Sequence, residues 1–471
     1  MVSEERVGSA LERQRAWLIG LALLCCYGYF FYLGGNWNVE SRNAQVFSLA
    51  EHGSLVIDDY PFLPEGGGDA ARYRGHYYSD KLIGPSLVAV PCYWLARRAM
   101  TAAGRPFRLA AYDALRIANF FANAVPSALL VALLYLFLAQ LGPNPALRTW
   151  VAFAYGTGTL ALPYSTAFFG HQLAAVCVAA AFMLLWRQRQ VWSLGRAAGA
   201  GALLGLGAIS DFMGLVIALL LWSYAASTAL GRLRDEHSGA ATMLGRVGML
   251  TVFAALVASI QLAANWASFG SPFVLAQTHH ATLAEHHQAG FLGIGAPNPE
   301  ALYQLTIGTY RGLFVASPVL LLALPGLFLL ARRRRAEAVI IGAAWIAVLL
   351  IHSGYADWPA GTAYGPRYQI PLVPLLVLAA APAAQRWPFV FKALALLSMV
   401  FTVAVTAHTP FFAESIRSPL GVALGHLWRG ELLHGNLGSL IGLPGLLSLL
   451  PLAAVEAAFL YALSGVGERE K

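Results

Sequence analysis

Apolar runs close to the length of a membrane crossing recur along the whole of this 471-residue chain, and they constrain its fold more than any other feature. Trp17–Tyr32, Leu215–Leu230, Leu313–Ala331 and Ile441–Leu463 each approach the ~20 residues that a helix needs to cross the hydrocarbon of a bilayer. Inside lipid every backbone N–H and C=O must be satisfied within the segment, so such runs predict helices. Charged residues make up only 11% of the chain and hydrophobic ones 58%, where a soluble domain carries about a quarter charged residues. The expected fold is an all-α polytopic membrane protein, one transmembrane unit over residues 1–471 with no separate soluble domain.

The net charge of +8 sits in short connections such as Arg187/Arg189 and Arg332–Arg335. That scatter marks topology signals and argues against a nucleic-acid partner. One segment then decides the topology. Leu82–Ala96 has about 15 residues, short for a span and suited to a re-entrant or interfacial helix. If it crossed, Arg332–Arg335 and most other basic loops would face outward, against the positive-inside bias. If it does not, those loops are cytoplasmic, both termini are cytoplasmic, and residues 34–116 form one long first extracytoplasmic loop carrying juxtamembrane helices. About 12 spans (11–13) follow, near 17–32, 117–139, 149–163, 172–187, 197–211, 214–230, 247–267, 313–331, 338–352, 370–384, 388–407 and 441–463. The first lacks a small-residue cleavage site and reads as an uncleaved anchor. Cys25, Cys26, Cys92 and Cys177 lie in apolar segments without metal-ligand spacing, and no disulfide is expected from them.

On this topology the polar, aromatic and glycine-rich clusters gather on the outer face. Asn36 to Gly53 has the spacing of an amphipathic surface helix ended by glycine, with Glu40 near its start and Arg42 one turn in. Glu40 reads either as a helix-start carboxylate or as a general base. Asp58-Asp59-Tyr60 and the run Tyr73-Arg74-Gly75-His76-Tyr77-Tyr78-Ser79-Asp80-Lys81 follow, packing aromatics with opposite charges just before the re-entrant segment. Asp80 and Lys81 are placed to hold a lipid phosphate beside an acid, or to form a local ion pair. His171 stands at the outer mouth of a span, Asp211 at another span end, and Arg311 and Arg367 open two more. An outer-face arginine either snorkels to headgroups or binds phosphate through its forked donors. His279, His280, Glu285, His286 and His287 read as a histidine-rich loop; a divalent metal is possible there but not indicated, and no cofactor is assigned.

The order and shared side of Val39-Glu40-Ser41-Arg42, Gly75-His76-Tyr77-Tyr78-Ser79-Asp80-Lys81, Tyr310-Arg311-Gly312 and Gly365-Pro366-Arg367-Tyr368 resemble the C-type glycosyltransferase superfamily (GT-C), near the protein O-mannosyltransferases and lipid A aminoarabinose transferases of bacteria. The resemblance implies an integral protein of the bacterial inner (plasma) membrane. It also implies a polyprenyl-phosphate sugar donor, a lipid, glycan or protein acceptor outside the cytoplasm, and a loop-1 carboxylate that takes the acceptor's proton. The family's Asp-Glu after the first span is Val39-Glu40 here, so the base is open between Glu40, Asp80 and the Asp58/Asp59 pair. Lys81, Arg311 and Arg367, with Arg42, His76, Tyr78 and His171, are the expected phosphate and substrate contacts. A direct displacement would invert the sugar carbon. The competing classes are a transporter or flippase of lipid-linked saccharide, which would place ionisable groups in mid-membrane between matched broken helices, and an inactive subunit of the same superfamily.

Overall fold

The computed structural model describes residues 2–32, 36–188, 193–235, 240–282, 290, 292–432 and 435–468. The chain is an integral membrane protein built of helices. Among the described residues eight of these are long and apolar enough to cross a membrane on their own, from Phe107–Leu141 to Gly445–Val466. The other four expected spans fall on α1 (Val2–Tyr29), on α6 (Pro145–Gly158) with the short α7 (Ala161–Ser165), on α9 (Leu194–Ala208), and on the apolar segment Pro318–Ala331. In the bundle, α1 packs against α5 (Val125–Leu138) and the last helix, α8 (Gly170–Gln188) against α9, and α9 between α10 (Phe212–Asp235) and α11 (Ala240–Phe269).

The first loop builds a second hydrophobic core of its own. Its opening helix α2 (Trp37–His52) begins where the Asn36 side chain accepts from the backbone N–H groups of Asn38 and Val39. It stops at Gly53, whose left-handed φ of 61° lets its N–H close back on Leu49. Phe47 from α2 meets Tyr60, Tyr93 and Phe107 edge to face or tilted. Around them lie Ala44, Ala89 and Ala111 from α2, α3 (Gly84–Ala102) and α4 (Phe107–Asn119). The segment Leu82–Ala96 thus contributes to α3, which is packed on α2 and α4 and is not one of the eight long apolar helices.

Two features depart from the expectation. The loop holds a β-hairpin, β1 (Ala70–Tyr73) with β2 (His76–Ser79), because Arg74 (φ 51°) and Gly75 (φ 90°) take the left-handed backbone that a two-residue hairpin turn demands. The loop's end near Arg116 falls inside a continuous helix, since α4 runs through a π turn at Phe120–Ala124 into α5. At ~1.5 Å per residue that helix exceeds the ~30 Å hydrocarbon core, and its first half serves loop 1.

What fastens loop 1 to the bundle is backbone contact at one corner, the Ile209-Ser210-Asp211 connection between α9 and α10. The N–H of Gly84 donates to the carbonyl of Ile209 at 2.9 Å, and a Cβ on Gly84 would come within 2.7 Å of that oxygen. A Cβ on Gly170, at the start of α8, would collide with the Ser210 carbonyl. Close by, the N–H of Ile83 donates to Gln261 Oε1 at 2.9 Å, and Ala281 N–H pairs with the Ala70 carbonyl at 2.8 Å. Gly170→Ala should therefore destabilise the detergent-solubilised protein by ~1–3 kcal/mol, the usual cost of overpacking a tight contact. Gly248→Ala, where nothing stands within 4 Å of the new methyl, should be neutral or stabilising by up to ~1 kcal/mol through helix propensity. Thermal unfolding of the two variants checks this, and equal effects would contradict it.

Candidate active site

The corner that holds loop 1 also gathers its charges. After β2 the chain turns through Asp80 and Lys81 into α3, and Lys81 Nζ stands 2.8 Å from both Asp80 Oδ2 and Asp69 Oδ2. Ser41 Oγ donates to Asp80 Oδ1 at 3.3 Å and contacts Ser79 Oγ at 2.8 Å. His280 Nε2 lies 3.7 Å from Asp80 Oδ2 and 3.9 Å from Asp69 Oδ1. Gln277 ties this edge by donating to the Asp80 carbonyl at 2.6 Å.

The two carboxylates are pushed apart in acidity. Burial lifts Asp80 above the usual carboxylate range, and Lys81 does not fully offset it. Burial acts the same way on Asp69, but there the Lys81 ammonium outweighs it and holds the carboxyl low. Burial alone would lower Lys81, yet the two carboxylates beside it raise it. Neighbouring acids divided in this way are suited to separate duties, the raised one to proton transfer.

Two guanidinium groups face this acidic edge. Arg42 is buried on α2 with only long bonds, Nε to Asn38 Oδ1 and Nη1 to the Leu82 carbonyl, both at 3.4 Å. Burial lowers it to about 10, against the opposing pull of Asp80 and Asp211. Arg367 is buried over the rings of Phe169 (5.5 Å) and Tyr368 (5.3 Å); its Nη2 reaches Tyr368 Oη at 3.5 Å, and among the described residues its Nε has no partner. Buried cations so loosely bonded are poised for an anion with several acceptor oxygens. Beside them His171 Nδ1 pairs with Asp211 Oδ2, while Asp211 Oδ1 caps α10 by accepting from Met213 and Gly214 N–H at 2.8 and 3.2 Å.

The remaining expected residues lie elsewhere. Glu40 points away from Arg42 into the loop-1 core, where its Oε2 accepts from Tyr60 Oη at 2.6 Å. Asp59 is exposed in a turn, and Asp58 is engaged by His76 Nδ1 and the Tyr77 N–H, each at 2.7 Å, on the outer surface. Tyr78 packs its ring on Phe269 at 5.4 Å. Arg311 is spent on backbone: it donates to the carbonyls of Pro359, Gly361 and Ala363 and stacks on Tyr310, holding that irregular loop. His279 stacks on Phe269, and Glu285, His286 and His287 lie outside the described residues.

Sequence reasoning passed over Asp69 and left Asp211 without a partner. The available signal for Asp69 was the run Gly66-Gly67-Gly68, whose positive φ values of 73°, 86° and 58° turn the chain sharply into the site. Among the described residues no group of three His, Cys, Asp or Glu side chains is arranged to hold a metal ion, and the space between Asp69 and Asp80 is taken by the Lys81 ammonium.

No family model and no curated protein sequence matches this chain. Among solved structures it is similar to the oligosaccharyltransferase AglB from Archaeoglobus fulgidus, determined with an inhibitory peptide and a dolichol-phosphate, at 12% identity and a TM-score of 0.45, over 92% of this chain and 57% of that one. It is also similar to the arabinosyltransferase EmbB from Mycobacterium smegmatis, at 12% identity and a TM-score of 0.46, over 98% of this chain and 41% of that one. Both are GT-C membrane glycosyltransferases. The chain spans about half the length of these structures or less.

Burial raises the Glu40 carboxyl above its ordinary range, and the Tyr60 hydrogen bond offsets this only in part. A folded-state value above the unfolded one means that the folded form gains stability as pH falls through the raised value and loses it as pH rises. Glu40→Gln keeps an acceptor for Tyr60 and removes that charge. At pH 8 the variant should be at least as thermally stable as the parent, its advantage vanishing below about pH 4, near the unfolded value. Melting curves against pH check the sign.

Proposed function

We propose that this protein is a membrane glycosyltransferase that moves a sugar from a polyprenyl-phosphate donor to a lipid, glycan or protein acceptor on the extracytoplasmic face of a bacterial inner membrane. The observation that carries the reading is the gathering of Arg42 and Lys81 at Asp80, with Arg367 close enough for its charge to act on Arg42 and on Asp69, where loop 1 meets the bundle. A polyprenyl chain would lie along the bundle while its phosphate takes the open donors of the two guanidinium groups and the ammonium.

The chemistry follows from charge. The acceptor oxygen attacks the anomeric carbon, the bond from that carbon to the phosphate oxygen breaks, and the electron pair stays on the phosphate. Cations already in place for the growing negative charge lower the barrier without reorganising at the moment of reaction. Attack opposite the leaving phosphate inverts the sugar carbon. The proton of the acceptor hydroxyl passes to Asp80, one of the two loop-1 carboxylates at this cluster; its oxygens hold Lys81 and Ser41 but keep spare lone pairs. Its raised affinity for a proton suits it to the task better than Asp69.

The test is sugar transfer by protein in nanodiscs, offered a panel of polyprenyl-phosphate sugars. Asp80→Asn should lower turnover by ~10²–10⁴-fold, the span of general-base catalysis, while Glu40→Gln should stay within a few-fold of the parent. Equal loss in both variants, or none in Asp80→Asn, would refute the assignment. Tight binding of polyprenyl phosphate without any sugar release would favour a carrier of lipid-linked saccharide instead.

A further inference from the structure

We propose that His171, set in place by Asp211, recognises the sugar of the donor, its Nε2 accepting a hydrogen bond from a hydroxyl of that sugar. This deepens the reading above and rests on it, because it requires a lipid-phosphate sugar at the cluster.

The argument begins with the protonation pattern. Asp211 Oδ1 accepts two backbone N–H groups at the start of α10, which holds the carboxylate in one orientation with Oδ2 toward the imidazole. A carboxylate can only accept, so the proton of the neutral ring resides on Nδ1, and Nε2 presents a lone pair. His171 is 4% exposed, and Nε2 is buried without a hydrogen-bond partner among the described residues. An acceptor left this way is destabilising unless a ligand donates to it.

The surroundings say what that ligand carries. The imidazole stacks on Phe169 at 5.7 Å and meets Tyr368 edge-on at 5.5 Å. Arg367 lies over the same two rings. Imidazole and guanidinium thus share the same two rings, close enough for the Arg367 charge to act on His171. A phosphate-linked sugar has its first ring carbon one bond from the phosphate oxygen, so its ring hydroxyls fall in this neighbourhood. Phosphate oxygens have no proton to give at neutral pH, whereas a sugar hydroxyl does. Gly170 secures the arrangement, since its missing Cβ lets α8 close on Ser210 and puts the backbone preceding His171 beside Arg42 Nη2.

The experiment measures binding, so that it stands apart from turnover. Affinities are determined in nanodiscs for polyprenyl phosphate alone, for its glucose, galactose and mannose conjugates, and for the monodeoxy forms of the best binder. In the parent protein at least one conjugate should bind more tightly than the bare lipid phosphate, and one monodeoxy form should lose ~10-fold or more in affinity, the scale of a single hydrogen bond to a buried acceptor. His171→Leu, which removes the acceptor, and Asp211→Asn, whose amide turns Nε2 into the protonated nitrogen while keeping the cap, should bind the parent and deoxy donors alike. His171→Gln should retain part of the discrimination. Unchanged discrimination in His171→Leu, no preference among monodeoxy forms in the parent, or no gain from any sugar would overturn the inference. Loss of the bare lipid phosphate itself would count against the phosphate site, a failure of the broader reading that the assay separates from this one.

Discussion

The site depends on two backbones approaching each other without side chains between them. Gly84 and Gly170 both lie against the Ile209–Asp211 corner, and a methyl on either would meet a carbonyl oxygen at well below contact distance. This contact does more than fasten loop 1. It brings the end of β2 with Asp80 and Lys81, the inner face of α2 with Arg42, the start of α8 with His171, and the cap of α10 with Asp211 to one place. All of these elements but α2 begin or end there, so polar groups arrive at a junction where backbone as well as side chains needs partners.

Burying this much charge would be ruinous for isolated groups, and the arrangement shows how the cost is contained. Each carboxylate has a cation or backbone donors, Asp69 and Asp80 sharing Lys81 and Asp211 taking His171 and the α10 N–H groups. The guanidinium groups are the under-satisfied members, Arg42 with long bonds and Arg367 with an idle Nε. A buried ion with spare donors is poor for stability and useful for recognition, and the imbalance favours an arriving anion. Arg311 is the contrasting case, since three carbonyls already occupy it.

Much of this was legible in the chain itself. Lipid enforces long apolar runs, and among the described residues eight of the expected ones are helices long and apolar enough to cross a membrane; the caps Asn36 and Gly53 marked α2 at both ends. Polar residues at the ends of spans, such as His171 and Arg367, stood out because the hydrocarbon forbids them without cause, and Asp80 and Lys81 stood out as opposite charges just before the re-entrant segment. Helix phase was not legible. Glu40 and Arg42 are two positions apart, about 200° around the helix, and only the docked neighbours decide which of them faces the bundle. Asp69 was hidden because its partner Lys81 comes from the far side of a hairpin whose turn uses a non-glycine residue, Arg74, at positive φ. Arg311 was misplaced since its partners are carbonyls of an irregular loop bent by Ala360 and Gly361 at φ 66° and 62°, which no pattern of residue types announces.

The central claim is that a lipid phosphate rests between loop 1 and the bundle. A cryo-EM structure of the protein with bound polyprenyl phosphate tests it most directly. The account predicts the phosphate within hydrogen-bond reach of Arg42, Arg367 and Lys81, with its chain running along the helices. Density for the phosphate at Arg311, at the Arg332–Arg335 connection or at any site remote from Asp80 would contradict it.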